Sequence, residues 1–147
     1  MRRVVIYMFL LLSGIAFSQK KDKDLPKGNE EFINKNYVNA EADYRVSQSK
    51  SPTKATSAYN LGNSIYRQKQ IAEAKTFYLK AIKTAKTLPQ KHYAYHNLGN
   101  VYMSEKDYTN AVEAYKNALR NNPADEETRY NYALAKEYLK NNPPPKD

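Results

Sequence analysis

Cysteine is absent from the 147 residues, and glycine, histidine and acidic residues are scarce: four, two and fifteen, against 24 lysines and arginines. Without cysteine there is no disulfide framework, so stability must come from packing alone, and no thiol is available as a nucleophile. Four glycines leave no phosphate-cradling loop. The two histidines, His92 and His96 in HYAYH, stand one helical turn apart, the spacing of a metal-binding pair. No glutamate lies between them and no third ligand is evident, so they read as two surface histidines. Neighbouring acids such as Glu126 and Glu127 are better explained by the start of a helix, where its dipole favours negative charge, than by acid–base catalysis. These shortages argue against an enzyme, and no cofactor or metal is implied.

The shortage of acid leaves a formal net charge of +9. Such an excess suits nucleic acid, an anionic membrane surface or an acidic protein partner. The lysines are scattered singly instead of clustering, which is the pattern of a solvated surface. Long hydrophobic runs are missing except at the start, where Arg2 and Arg3 precede the mostly apolar stretch Val4 to Phe17. Those 14 residues fall short of the roughly 20 needed to span a bilayer as a helix. Small residues at Ala16 and Ser18 complete the pattern of a signal peptide over 1–18, cleaved near Ser18, with a retained membrane anchor as the competing reading. The expectation is an exported, periplasmic protein, which argues against nucleic acid. Loss of the first 18 of 147 residues leaves 129, enough for one domain, and loss of Arg2 and Arg3 lowers the charge from +9 to +7.

What the sequence has in abundance is recurrence. Gly28, Gly62 and Gly99 lie 34 and 37 residues apart, and Ala40, Ala74 and Ala111 keep those spacings. Tyr44, Tyr78 and Tyr115 do the same, as do Tyr37, Ile71 and Tyr108. Helical stripes fit each unit: Tyr37, Ala40, Tyr44 and Ser47 share one face, as do Tyr108, Ala111, Tyr115 and Ala118. Stacked helical hairpins form a continuous core only when equivalent residues return at equal spacing.

The stretch from Tyr95 to Pro123, YHNLGNVYMSEKDYTNAVEAYKNALRNNP, resembles a complete tetratricopeptide repeat (TPR), with Leu98, Gly99, Tyr102, Tyr108, Ala111, Tyr115, Ala118 and Pro123 in the family's places. The resemblance implies an all-α solenoid of about three TPR helical hairpins plus a C-terminal capping helix. The expected organisation is a flexible lead over 19–26, with the first helix from Gly28 to Asn34, a TPR domain over 27–141 and a disordered Pro-rich tail over 142–147. Within it the units fall at about 21–54, 55–91 and 92–125, and the capping helix at 123–140. Lys86 stands where the second unit's closing proline belongs and Pro89 arrives three residues late, so either that unit's second helix lengthens or its turn bulges. Asn122 is expected to cap the last helix with Pro123 at its first position. Tyr132, Ala135 and Leu139 are expected to pack backward while Arg129, Lys136 and Lys140 face water.

First helices line the concave groove of a TPR stack. Asn60 and Asn63, and Asn97 and Asn100, flank the glycines of those helices, and Asn29 and Asn131 extend the series. Side-chain amides offer both donor and acceptor groups to the backbone of an extended peptide. The competing reading is that they satisfy neighbouring groups of the chain itself. Tyr59, Tyr66, Arg67, Tyr93, His96 and Tyr130 complete the expected peptide-binding groove, the tyrosines as flat amphipathic surface. In TPR proteins that grip a C-terminal carboxylate, lysine and arginine accompany such asparagines. Asn63 and Asn97 match that clamp, but its cationic places hold Tyr59, Glu127 and Asn131, which points to an internal or extended segment as the ligand.

Two further phrases, YNLGNSIYRQKQ at Tyr59 to Gln70 and DEETRYNYALAKEYLKNNPPP at Asp125 to Pro145, resemble the TPR proteins of bacterial aerotolerance (Bat) operons. That resemblance implies an adaptor in a periplasmic complex for oxidative or envelope stress. Its partners would be proteins, among them membrane-bound Bat proteins with von Willebrand factor A-type domains, with the membrane reached only through them. The alternative is a basic structural protein that binds envelope polymers or an anionic membrane surface.

Overall fold

The structure is a computed structural model and describes residues 21–145; the expected signal peptide and the ends of the lead and tail lie outside the described residues. Seven α-helices follow one another in the described residues: α1 (Asp24–Ile33), α2 (Tyr37–Lys50), α3 (Ala55–Arg67), α4 (Ile71–Thr84), α5 (Leu88–Ser104), α6 (Tyr108–Asn121) and α7 (Glu126–Asn141). Each packs on the next in the chain, and first helices of successive hairpins also touch, α1 with α3 and α3 with α5. The result is the all-α solenoid of hairpins that the period predicts.

The glycine and tyrosine columns explain one another. In each hairpin the second-helix tyrosine (Tyr44, Tyr78, Tyr115) is buried and its ring lies flat on the first-helix glycine. A Cβ at Gly99 would sit 2.4 Å from the Tyr115 ring. Glycine there opens the space that lets two helices share an aromatic ring. Ala40, Ala74 and Ala111 are fully buried at the helix crossings, and Leu61, Ile65, Leu98 and Val101 fill the core between them.

The three turns within hairpins are copies. Lys35, Lys69 and Lys106 have φ of 63°, 64° and 60°, the left-handed region. Each lies where a helix ends in a Schellman motif, with Asn36, Gln70 and Asp107 donating their amides back to the carbonyls of Glu31, Ile65 and Tyr102. Lysine here carries a steric cost that glycine avoids.

Two expectations need correction, and one left open between two alternatives is decided. The lead is not loose over 21–26: α1 begins at Asp24, four residues before Gly28. Asp22 anchors it, accepting from the amides of Asp24 and Leu25, from Ser47 Oγ at 2.6 Å and from Lys54 Nζ at 3.1 Å. Burial works against the Asp22 carboxylate, but these donors win and carry its pKa down to about 2. Such a charged stretch lacks apolar periodicity because polar contacts hold it. Second, the extra residues of unit two fall in the turn: α4 stops at Thr84, and Ala85 to Thr87 form a connection. Thr87 Oγ1 then accepts the Gln90 amide at 3.3 Å and caps α5, so Pro89 lies in the opening turn of α5 and does not stop α4. Third, α7 starts at Glu126, not Pro123: Asp125 is the cap, accepting from the Glu127 amide and from Thr128 Oγ1. Arg129, Lys136 and Lys140 are exposed and Ala135 is fully buried.

Candidate functional groove

The asparagines meet in a ladder across the repeats. Tyr44, Tyr78 and Tyr115 donate their hydroxyls to Oδ1 of Asn29, Asn63 and Asn100 at 2.9, 2.9 and 2.6 Å. The next first helix then donates to the same oxygens: Asn60 Nδ2 to Asn29 at 2.9 Å and Asn97 Nδ2 to Asn63 at 2.8 Å. Burial pushes the Tyr44 hydroxyl up to about 12 and raises Tyr78 and Tyr115 too, so all three remain donors at neutral pH. These amides therefore hold neighbouring repeats together, as the competing reading of the sequence had it, and their undonated faces border open space. At the last rung Asn131 follows Asn97 by 34 residues, but Leu134 stands where Asn100 has its equivalent.

Three cavities repeat along this ladder. The first, about 290 Å³, is lined by Asn29, Phe32, Ile33, Tyr44, Asn60 and Asn63. The second, about 250 Å³, is lined by Phe32, Asn63, Tyr66, Arg67, Tyr78, Asn97 and Asn100. The third, about 260 Å³, is lined by Tyr66, Asn100, Met103, Ser104, Tyr115, Asn131 and Leu134. Their walls correspond position for position. A fourth, apolar cavity of about 240 Å³ lies beside them, between Tyr59, Tyr93, Pro89 and Thr56. The Tyr59 and Tyr93 rings are 6.3 Å apart, and Asn97 Nδ2 donates to Tyr59 Oη at 3.1 Å. Arg67 stands at the mouth of the second cavity, donating to Tyr37 Oη at 2.9 Å with its guanidinium 5.2 Å from the Tyr37 ring centre. Among the described residues no carboxylate pairs with it.

Of the residues the sequence nominated, Asn29, Asn60, Asn63, Tyr66, Arg67, Asn97, Asn100 and Asn131 line the three cavities, and Tyr59 and Tyr93 line the fourth. Tyr130 is 69% exposed and lines none of them. His96 is not a groove residue, and the two histidines are not on the surface: His92 is 2% and His96 9% exposed. His96 Nδ1 lies 2.6 Å from Thr128 Oγ1, which itself donates to Asp125. His92 faces the Ala118 carbonyl at 3.0 Å through Nδ1 and Asp125 at 2.9 Å through Nε2. Both rings face the joint with α7, where polar partners replace water. Burial depresses the His96 pKa, against the pull of Glu127 and Asp125. Among the described residues no three potential ligands gather as a metal site.

Phe32, Ile33, Met103 and Ser104 escaped the sequence reading. A signal for them was present: they follow the ladder asparagines by three and four residues, as Tyr66 and Arg67 do, at the same 34- and 37-residue period.

A stack of helical hairpins with a polar inner ladder and a row of matching cavities defines a helical repeat protein. Comparison names the repeat: residues 55–88 and 92–125 are each matched as a tetratricopeptide repeat. No curated protein matches. Solved structures show the same fold. The first TPR of Spaghetti (RPAP3) bound to the HSP90 peptide SRMEEVD is similar with a TM-score of 0.77 at 21% identity, over 84% of this chain and 96% of that one. The Sgt2 TPR domain of Aspergillus fumigatus gives 0.75 at 21% identity over 88% and 89%. The TPR2B domain–pHsp70 complex of yeast Sti1 gives 0.74 at 21% identity over 82% and 98%.

Proposed function

We propose that this chain is a non-enzymatic adaptor that binds an extended segment of a protein partner along the inner ladder. The observation that carries the reading is the row of three equivalent cavities on one face, each bordered by amides that can meet a peptide backbone. Structural neighbours that hold an HSP90 peptide or form an Hsp70 complex support it by analogy of fold. The ligand is an internal segment, because the places for gripping a terminal carboxylate hold Tyr59, Glu127 and Asn131.

We further propose that the adaptor is exported and works beside Bat-type membrane proteins as a counterpart of BatC. Support for export is the Arg2–Arg3 start with its short apolar run; support for the Bat setting is the resemblance of Tyr59 to Gln70 and Asp125 to Pro145. No helix among the described residues is long and apolar enough to cross a membrane.

The test is affinity capture from cell-envelope extracts with the wild type and a Tyr93→Ala, Arg67→Ala double variant, both at physiological salt. Tyr93 is 55% exposed and Arg67 is exposed, so the core is untouched. Partners held by the wild type and lost by the variant support the groove. Identical profiles for the two, fading together as salt rises, would favour charge-driven association with envelope polymers instead.

A further inference from the structure

The three cavities differ systematically at one wall. Three residues after each ladder asparagine stands a broad side chain, Phe32, Tyr66 or Met103, and each first-helix cavity wall is completed by the residue after it, Ile33, Arg67 or Ser104. Phe32 and Tyr66 are shared, each forming a wall of the following cavity as well. The amide ladder is the same in the first two subsites and gives one amide up to Leu134 in the third, so it does not tell the first two apart. Discrimination resides in the variable wall, which is apolar and 78% exposed at Ile33, cationic at Arg67, and a small hydroxyl at Ser104.

Arg67 is prepared for its part. Its guanidinium is fixed against Tyr37 by a hydrogen bond and by the ring face, so it loses little freedom on binding. Without a carboxylate partner among the described residues, it is a cation awaiting one. Ser104 is tied on its inner side, Oγ lying 2.9 Å from the Asn100 carbonyl and 3.2 Å from Tyr66 Oη. That leaves a narrow polar rim.

Spacing sets the reading frame of the ligand. Helices joined side by side, as the Asn29–Asn60 and Asn63–Asn97 bonds join α1 to α3 and α3 to α5, lie roughly 8–10 Å apart. A polyproline-II segment advances about 9 Å in three residues and presents every third side chain on the same side. One ligand residue in three therefore enters a subsite.

Resting on the groove reading of the preceding section, we propose that the partner segment is an extended, polyproline-II-like peptide read at every third residue. It carries an aliphatic side chain at the Ile33 subsite, a carboxylate at the Arg67 subsite and a small polar side chain at the Ser104 subsite. The test uses fluorescence anisotropy with blocked nonapeptides, acetylated and amidated so that no terminal charge contributes. They carry Leu, Glu and Ser at positions one, four and seven, and are made in both chain directions. Replacing the central Glu by Gln is expected to weaken binding about tenfold to the wild type. In Arg67→Gln that discrimination disappears while the preference for Leu over Asn at position one remains. In Ile33→Arg, an acid at position one becomes favoured. Circular dichroism confirms the fold of both variants, since both sites are exposed. Equal affinity of the Glu and Gln peptides for the wild type overturns the reading frame and its acidic specificity, while binding still lost in Tyr93→Ala, Arg67→Ala keeps the groove. Binding of no peptide at all by the folded protein overturns both.

Discussion

Replacing Gly99 by alanine tests how the hairpins are held together, because two opposite contributions meet there. In an ordinary helix interior the change stabilises by about 0.8–1 kcal/mol through propensity alone. Here the new Cβ would lie 2.4, 2.6 and 2.8 Å from Cε1, Cδ1 and Cζ of Tyr115. The ring cannot step aside freely: Tyr115 is 1% exposed, and its hydroxyl is tied to Asn100 at 2.6 Å. Overpacking of this kind costs about 1–3 kcal/mol, and losing the neutral hydroxyl bond adds about 1. The net expectation is a loss of about 1–3 kcal/mol, read as a fall in the urea midpoint of roughly 0.5–1.5 M for a slope near 2 kcal/mol/M. A double-mutant cycle isolates the clash. On a Tyr115→Ala background the same Gly99→Ala change should become stabilising by up to about 1 kcal/mol, a reversal of sign. The chain contains its own control, since Ala133, 34 residues after Gly99, occupies the glycine place in α7 and is exposed. A neutral or stabilising Gly99→Ala with Tyr115 intact would refute this account of the columns.

Other perturbations follow from the same contacts. Tyr78→Phe removes one of two donors to Asn63 Oδ1 and should cost about 1 kcal/mol in urea unfolding. Lys69→Gly relieves a left-handed backbone at φ 64°, and the gain of about 1–2 kcal/mol, reduced by glycine's extra unfolded freedom of about 0.5–1, should raise the melting temperature slightly. His96 is held below its ordinary 6.5 by burial, so the unfolded chain binds its proton first. Stability is then full above pH 6.5 and falls as pH drops through the window below it, and His96→Gln should flatten that slope in unfolding curves taken between pH 7.5 and 5. Asp22, depressed to about 2, keeps its contribution above its ordinary 3.8 and loses it on further acidification, so Asp22→Asn should remove the part of the acid loss that lies below pH 4.

The order of helices was legible because glycine, alanine and tyrosine recur in register, and stacking demands such regularity. The connection after α4 was not: three additional residues fit either a longer helix or a longer turn by period alone. Thr87 and Gln90 decided the matter, and the TLPQ phrase carried that cap in plain view. The ordered lead is not legible in the sequence because Asp22 is held by polar contacts with Ser47 and Lys54, far along the chain, which hydropathy patterns do not register. The burial of the two histidines is hidden from the sequence for a related reason. HYAYH shows two rings on one helix face, but only the approach of α7, bringing Asp125 and Thr128, makes that face an interior. The asparagines were found for their placement; their bonds to tyrosines and to each other emerge once the repeats are in contact.

Leu134 has a consequence for how many modules this architecture tolerates. A side chain without amide chemistry closes the series of shared oxygens, so a further hairpin appended beyond α7 would meet a greasy step where it needs an anchor point. Lengthening the array by design would therefore begin with Leu134→Asn and Ala133→Gly, together with a tyrosine sixteen residues after the new glycine, matching the offset from Gly99 to Tyr115.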